Sequence, residues 1–482
     1  MSIIYDNYET VIGLEIHVEL LTRSKLFCAC STAFGERPNS NTCPVCVGLP
    51  GSLPVLNQKA VEKIIMLGLA LNSQISEYTW FDRKNYFYPD NPQNYQITQF
   101  YAPFCTGGYL KPDKGKTIRI KEMHLEDDAG KLLHQGNKTY IDYNRSGVPL
   151  IEIVTEPDFA SAEEAVSFLK ALREVLLALQ ISDCKMQEGS LRVDVNLSVR
   201  EKNTKENGVR CEIKNVNSFS EIIRLASFEK KRQVDLLLSG QRVEQETRGW
   251  DEKARESFFM RKKETERDYR YYPEPDIPVL QIKADDIEAI KQTLPPLPEE
   301  VKQEMMKRYH INSDIADILY HEKKLCKLFE EAYILYPEPK ALLNRLLTEG
   351  VHILNENGQG WENVKMKASD FVKLIRLTAS GQISTQTEKE IMKRLFTESF
   401  DPEEYAERNH LKQTLDMEVL GRTARLVIEE NPKSVNDYLA GKERAIQYLT
   451  GQGMKQLKGR ADAQQLTACI KNEIDQIERR KT

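Results

Sequence analysis

Glu15, His17 and Glu19 are spaced two apart and separated by apolar residues in Leu14-Glu-Ile-His-Val-Glu-Leu20. That spacing sets the three polar side chains on one side of an extended strand, with Leu14, Ile16, Val18 and Leu20 on the other. Two carboxylates flanking an imidazole can hold a divalent cation or carry protons; the same residues also suit a solvated sheet face. Two later segments repeat the chemistry. His124-Leu-Glu-Asp-Asp-Ala-Gly-Lys131 carries three consecutive acids, and Ile151-Glu-Ile-Val-Thr-Glu156 sets Glu152 among β-branched apolar residues. Three acid-bearing segments in the first third of the chain point to a metal or charge-handling centre.

A second cluster is made of sulfur. Four of the nine cysteines fall within nineteen residues, as Cys28-Ala-Cys30 and Cys43-Pro-Val-Cys46. Each short turn presents two thiolates, and two such turns complete the tetrahedral shell that zinc prefers. Gly35-Glu-Arg-Pro-Asn-Ser-Asn41 between them is rich in turn formers and can bring the pairs together. The doubled arrangement favours a structural Zn2+ on Cys28, Cys30, Cys43 and Cys46 over a redox-active pair or four free thiols. The other five cysteines are scattered. An odd total in a chain that begins without a basic and apolar secretory leader argues for a reducing compartment, the cytoplasm or an organelle matrix or stroma.

The elements that must position these groups read as α+β up to about residue 290. Strand patterns cover Leu14–Leu20, Ile118–Ile120, Ile151–Val154, Leu191–Val199 and Val209–Lys214. Ser161-Ala-Glu-Glu164 is a capping-box signature before an apolar stripe, and Ser218-Phe-Ser-Glu221 opens a second helix that Gly240 would stop. Thr293-Leu-Pro-Pro-Leu-Pro-Glu-Glu300 is a Pro-rich break, and beyond it the pattern is helical, with a second break at Ser399-Phe-Asp-Pro402. At 482 residues, 40% apolar and 29% charged, the chain suits a soluble protein of several domains, and no apolar run approaches a bilayer span. The net charge of −5 conceals a basic end, since residues 441–482 hold nine Lys and Arg against five Asp and Glu. No P-loop, dinucleotide fingerprint or nucleophile elbow is present in the sequence. Taken alone, the residues describe a zinc-braced protein with a carboxylate-rich centre and a basic helical end.

Several long segments carry a resemblance. Val11-Ile-Gly-Leu-Glu-Ile-His-Val-Glu19, Phe81-Asp-Arg-Lys-Asn-Tyr-Phe-Tyr-Pro-Asp90, Tyr95-Gln-Ile-Thr-Gln99 and Glu122-Met-His-Leu-Glu-Asp-Asp-Ala-Gly-Lys131 resemble the B subunits of the glutamyl/aspartyl-tRNA amidotransferases. So do Pro149-Leu-Ile-Glu-Ile-Val-Thr-Glu-Pro-Asp158, Glu188-Gly-Ser-Leu-Arg192, Glu212-Ile-Lys-Asn-Val-Asn-Ser218 and Asp268-Tyr-Arg-Tyr-Tyr-Pro-Glu-Pro-Asp276, in order along nearly the whole chain. The resemblance implies a glutamine-synthetase-like α+β cradle with a mainly antiparallel sheet at 1–293, carrying a zinc knuckle at 28–46. An all-α helical domain at 294–400 and a helical, tRNA-contacting tail at 401–482 would follow. It implies a heterotrimer with an amidase (glutaminase), the A subunit, and a small third chain, the C subunit. The B subunit would use ATP and Mg2+ to phosphorylate the side-chain carboxylate of Glu or Asp misattached to tRNA(Gln) or tRNA(Asn). Ammonia from the amidase would then displace phosphate.

Carried over residue by residue, the resemblance implies Mg2+ ligands at Glu15, His17, Glu126 and Glu152. Carboxylates suit magnesium, whereas His17 suits manganese equally or meets phosphate through water. Lys84 corresponds to the basic residue of the catalytic cavity. Asp127 stands where the family more often has Glu, near the expected ammonia entry. Arg192 and Asp194 share a strand face and either close the cavity floor or form a cross-strand ion pair. Tyr86, Tyr88, Tyr269, Arg270, Tyr271 and Tyr272 interleave aromatic and basic residues, a set that stacks on bases or packs a Pro-rich loop. In the tail Lys455, Lys458 and Arg460 are candidates for tRNA phosphate contact, although Gly453 and Asp462-Ala463 depart from the family's end motif. Two other readings are a zinc-braced tRNA-binding protein without catalysis and a self-sufficient metal-dependent hydrolase.

Overall fold

The computed structural model describes the chain apart from residues 1–4, 113–114, 205, 263–266, 413–416, 458–460, 462 and 480–482, and the side chains of 478 and 479. Its alternating segments become strands β1 (Tyr8–Glu19), β4 (Ile118–Asp127), β5 (Pro149–Thr155), β6 (Leu191–Glu201) and β7 (Cys211–Val216). Strands β2 (Asp82–Asn85) and β3 (Tyr95–Thr98) lie earlier in the chain, and β8 (Glu246–Asp251), β9 (Glu256–Lys262) and β10 (Tyr272–Pro273) later. A ten-stranded sheet runs in the order β9-β8-β7-β6-β1-β5-β4 and continues through short strands at Cys105–Thr106 and Gln74–Ile75, with Tyr109–Leu110 also on β4. Every pairing in it is antiparallel except β7 with β8. β2, β3 and β10 form a separate three-stranded sheet.

Alternation gives the large sheet one apolar and one polar face. Leu14, Ile16, Val18, Met123, Leu125, Ile151, Ile153, Val193, Val195, Leu197 and Ile213 are buried in one cluster. Three helices supply the opposing apolar surface of that cluster: α1 (Gln58–Ala70), α2 (Ala162–Ala178) and α3 (Phe219–Leu238). The capping expectations are met unequally. Ser161 Oγ accepts from Glu164 N at 3.2 Å, and Glu164 Oε2 reaches back to accept from Ala160 N at 2.8 Å. Ser218 makes no cap bond, because its hydroxyl pairs with that of Ser220 at 2.9 Å. Gly240, at φ 74°, lies just past the end of α3, where a left-handed residue ends a helix at least cost.

The chain divides into two compact units, residues 1–299 and 300–482. The second is helical among its described residues and holds two separate apolar cores, one between Tyr309 and Ala406 and one between Leu420 and Ile474. Gly453 lies in the Arg444–Gln456 helix, where a β-carbon would sit 2.9 Å from Leu466 Cδ2. Gly453 thus packs closely against the Ala463–Arg479 helix. No helix among the described residues is long and apolar enough to cross a membrane.

Leu125 is fully buried between His124 and Glu126 on β4. Leu125→Ala should lower the stability of the first unit by about 2–5 kcal/mol through the lost transfer energy and the cavity left behind. Urea unfolding of the full chain, followed through a probe in the first unit, measures it.

Candidate active site and cysteine cluster

Strand register builds the polar face in rows. His17 on β1 lies opposite Glu152 on β5 and Arg192 on β6, and Glu152 in turn lies opposite His124 on β4. His124, Glu152, His17 and Arg192 therefore form one row across four strands. Glu126 is two residues along from His124 on the same face. His17 Nε2 lies 3.6 Å from Glu126 Oε1 and 3.7 Å from Glu152 Oε2. His17, Glu126 and Glu152 thus gather as three potential metal ligands, whereas Glu15 joins a neighbouring group with Asp194 and Glu212. The four residues expected to share one ion are divided between two adjacent acidic groups.

The first group is balanced by nearby bases. His124, absent from the expected ligand set, is buried and approaches Glu152 Oε2 at 3.1 Å and Glu126 Oε2 at 3.8 Å. Burial disfavours its charged form, yet Glu152 and Glu126 raise its pKa to about 10. Burial likewise opposes ionisation of Glu126 and Glu152, but His124 and His17 outweigh it and hold both carboxyls below their usual range. Lys84 arrives on β2 of the small sheet, half-buried, where burial works against its charge but its surroundings, Glu126 and Glu152 among them, raise its pKa above the usual range. Thr98 on β3 also donates to Glu126 Oε2 at 3.2 Å. The sequence signal for His124 was its two-residue spacing from Glu126.

In the second group Lys214 binds Asp194 and lies 3.4 Å from Glu212 Oε1. Asn196 donates to Glu15 Oε1 at 2.9 Å, while its buried Oδ1 has no partner among the described residues. Both groups present hard oxygen donors, the chemistry that magnesium and manganese take, and the orphaned amide oxygen beside Glu15 adds a further donor. A cavity of about 790 Å³ beside them is lined by His17, Glu19, Arg192, Asp194 and Lys214, with Lys131 and Arg145. Its volume suits a nucleotide-sized ligand.

Asp127 does not join these groups. It follows Glu126 on β4 and so occupies the opposite strand face, where its Oδ1 accepts from Ile97 N at 2.8 Å. It lines a separate cavity of about 200 Å³ together with Cys28 and Cys46. Burial pushes its carboxyl well above the usual range. Asp128 is held below its usual range in spite of burial, by Arg192 at 2.9 Å and Arg145 at 3.4 Å.

Cys28, Cys30, Cys43 and Cys46 converge with their sulfurs all within 4.8 Å of one another. The Cys43 and Cys46 sulfurs are 3.9 Å apart. Zinc with bonds of about 2.3 Å in a tetrahedron would separate its sulfurs by about 3.8 Å, so the donor set fits that ion. Crowding drives the thiols' proton affinities apart. Cys28 as a neighbour holds Cys46 down at about 4, while hydrogen bonding to Cys46 drives Cys28 far up. Fully buried Lys25 donates to Cys46 Sγ at 3.4 Å and to the Tyr143 carbonyl at 3.2 Å. In the tail Lys455 is exposed on its helix. Lys458 and Arg460 lie outside the described residues.

Metal analysis of the purified Cys28→Ser, Cys43→Ser double variant should find zinc reduced at least tenfold per chain. Zinc content equal to that of the unaltered chain would refute a four-thiolate site.

Residues 10–288 match the GatB/GatE catalytic domain family, and residues 327–474 match the GatB domain family. The chain is 48% identical to the aspartyl/glutamyl-tRNA(Asn/Gln) amidotransferase B subunit of Agathobacter rectalis, over 95% of this chain and 97% of that one. It is 46% identical to the B subunits of the same enzyme from Lachnospira eligens, over 96% and 99%, and Caldicellulosiruptor bescii, over 98% and 100%. With a catalytic-domain match over more than half its length and identity of this extent, the chain belongs to the family of aspartyl/glutamyl-tRNA(Asn/Gln) amidotransferase B subunits.

Proposed function

We propose that this chain carries out ATP-dependent amidation of Glu-tRNA(Gln), Asp-tRNA(Asn) or both, by phosphoryl transfer followed by acyl transfer to ammonia. The observation that carries the reading is the convergence of His17, Glu126 and Glu152 on the buried polar face, with Lys84 beside them. In the first step an oxygen of the substrate's side-chain carboxylate attacks the γ-phosphorus of ATP and ADP leaves. In the second, ammonia attacks the activated acyl carbon and phosphate leaves with the former carboxylate oxygen.

Three tasks follow for the chain's own groups. His17, Glu126 and Glu152 would hold one Mg2+, and Glu15, Asp194 and Glu212 with the Asn196 amide oxygen a second. Divalent cations bound there neutralise charge on transferring phosphoryl oxygens. Lys84 draws the substrate carboxylate or the phosphate to the centre as a point charge. Arg192, Arg145 and Lys214, on the wall of the 790 Å³ cavity, suit a polyphosphate. Asp127, on the far strand face beside the cysteine cluster, would meet ammonia on its way in and take its proton as ammonium enters. The cysteine cluster would hold Zn2+ as a brace.

The assembly we propose is a heterotrimer in the cytoplasm, in which a glutaminase is the A subunit and a small chain the C subunit. The division is a cradle at 1–293, a helical domain at 294–400 and a tail at 401–482 that contacts tRNA through Lys455, Lys458 and Arg460.

The test uses the chain assembled with both partner proteins, with ammonium chloride in place of glutamine and ATP, magnesium and Glu-tRNA(Gln) or Asp-tRNA(Asn) supplied. ADP and amidated tRNA should form in equal amounts, and Glu126→Gln and Glu15→Gln should each lower both by roughly 10²-fold or more. Full turnover in Glu126→Gln would overturn the ligand assignment. Tight tRNA binding without ADP from either substrate would leave a binding protein in place of an enzyme.

A further inference from the structure

A ladder of aromatic rings runs outward from the acidic centre, and phosphoryl transfer makes no use of it. The Tyr271 phenol lies close enough to Lys84, Glu126 and Glu152 to feel their charge. Its ring stacks on Phe100 with centroids 4.3 Å apart and planes 13° from parallel. Phe100 meets Tyr101 edge-on at 5.0 Å. On the inner side Tyr269 meets Tyr271 at 6.0 Å, and the Lys84 ammonium lies 5.0 Å from the Tyr269 centroid. At the outer end Tyr101 is 56% exposed.

Packing alone does not account for the arrangement. Phe100, Tyr101, Phe87, Tyr88 and Tyr272 are all exposed, so much of the stabilisation that burial would give these rings is not realised. The rings come from three separate segments, 86–88, 100–101 and 269–272, and converge beside one another. Arg270 sits at φ 46°, a conformation that costs a non-glycine residue energy, with its guanidinium 5.6 Å from the Phe87 centroid. Exposed rings with an arginine among them are what proteins present to unpaired nucleotides.

We propose that the Tyr271–Phe100–Tyr101 ladder is the stacking subsite for the unpaired 3′-terminal adenosine of the acylated tRNA. The inference rests on the amidation reading above and adds where the RNA end lies. The amino acid is esterified to that nucleotide's ribose, so its base and the reacting carboxylate are only about 10 Å apart by ordinary bond lengths. The Tyr271 end of the ladder interacts with the charges of Lys84, Glu126 and Glu152, so a base seated on these rings would lie near the reacting centre. ATP has another place to go, because the 790 Å³ cavity opens on the same polar face and offers Arg145, Arg192 and Lys214 to phosphates. The ladder's outer end is exposed, as an incoming RNA end requires.

Equilibrium binding of the full chain to two RNAs tests this, one an intact cognate tRNA and the other the same tRNA without its terminal adenosine. Removing the nucleotide should weaken binding to the unaltered chain by roughly 5- to 100-fold. Tyr101→Ala should lose that much affinity for the intact tRNA and none for the shortened one, and Tyr101→Phe should restore it. Should Tyr101→Ala fail to fold, Tyr101→Leu makes the same comparison. Equal weakening of both RNAs, or no weakening, would overturn the subsite. A raised KM for ATP with unchanged RNA binding would also overturn it, by assigning the ladder to the adenine of ATP. Because binding is read without turnover, a chain that makes no ADP still reports on the ladder, and loss of discrimination is separable from failure of the amidation reading.

Discussion

Carboxylates held out of water must be balanced by cations, and on this sheet the balance organises the rest of the first unit. Glu126, Glu152, Asp128, Glu212 and Asp194 all lie on or beside one polar face. Each has a base at hand: His124 and His17 for the first two, Arg192 and Arg145 for Asp128, Lys214 for the last two. Such a surface is costly as structure alone, since a well-packed apolar face would stabilise the sheet at least as well. What it leaves open is a set of hard oxygen donors, the kind that divalent cations take.

The large sheet makes this possible by separating duties between its faces. One face meets α1, α2 and α3 in a continuous apolar core, so the strands are held rigidly while their other face stays polar. Rigidity matters because a ligand set is useful only within a fraction of an ångström of its working geometry. The small sheet of β10, β2 and β3 then approaches the open side, bringing Lys84 and Thr98 to Glu126. The bonds from Ile97 N to Asp127 and from Leu125 N to Gln99 fasten the two sheets together along β4. Asp127 also joins the two sheets at that seam through its bond from Ile97 N.

The cysteine cluster repeats the same problem with sulfur. Four thiols within 4.8 Å cannot all ionise beside one another, and Lys25 offsets a single charge on Cys46. A dication on four thiolates resolves that conflict and would tie the 28–46 segment to the Asp127 cavity wall.

Several features were legible in the residues alone. Two-residue alternation assigned Glu15, His17 and Glu19 to one face of a strand, and the doubled cysteine spacing named the four thiols that meet. Long quoted segments named the family. The same alternation separated Asp127 from Glu126, a consequence drawn only once β4 was seen to extend through both. Register was not legible. That His17 faces Glu152 and Arg192 while Glu15 faces Asp194 splits one expected ligand set into two groups, and neither arrangement can be read from spacing within a strand. Lys214 and the Phe100–Tyr101 rungs entered only through contacts between distant segments. Which side of a strand a residue occupies follows from local backbone geometry, so the sequence by itself determined the faces. Which residues of strands more than a hundred positions apart lie opposite one another depends on how whole apolar faces pack, and only the tertiary structure decided that.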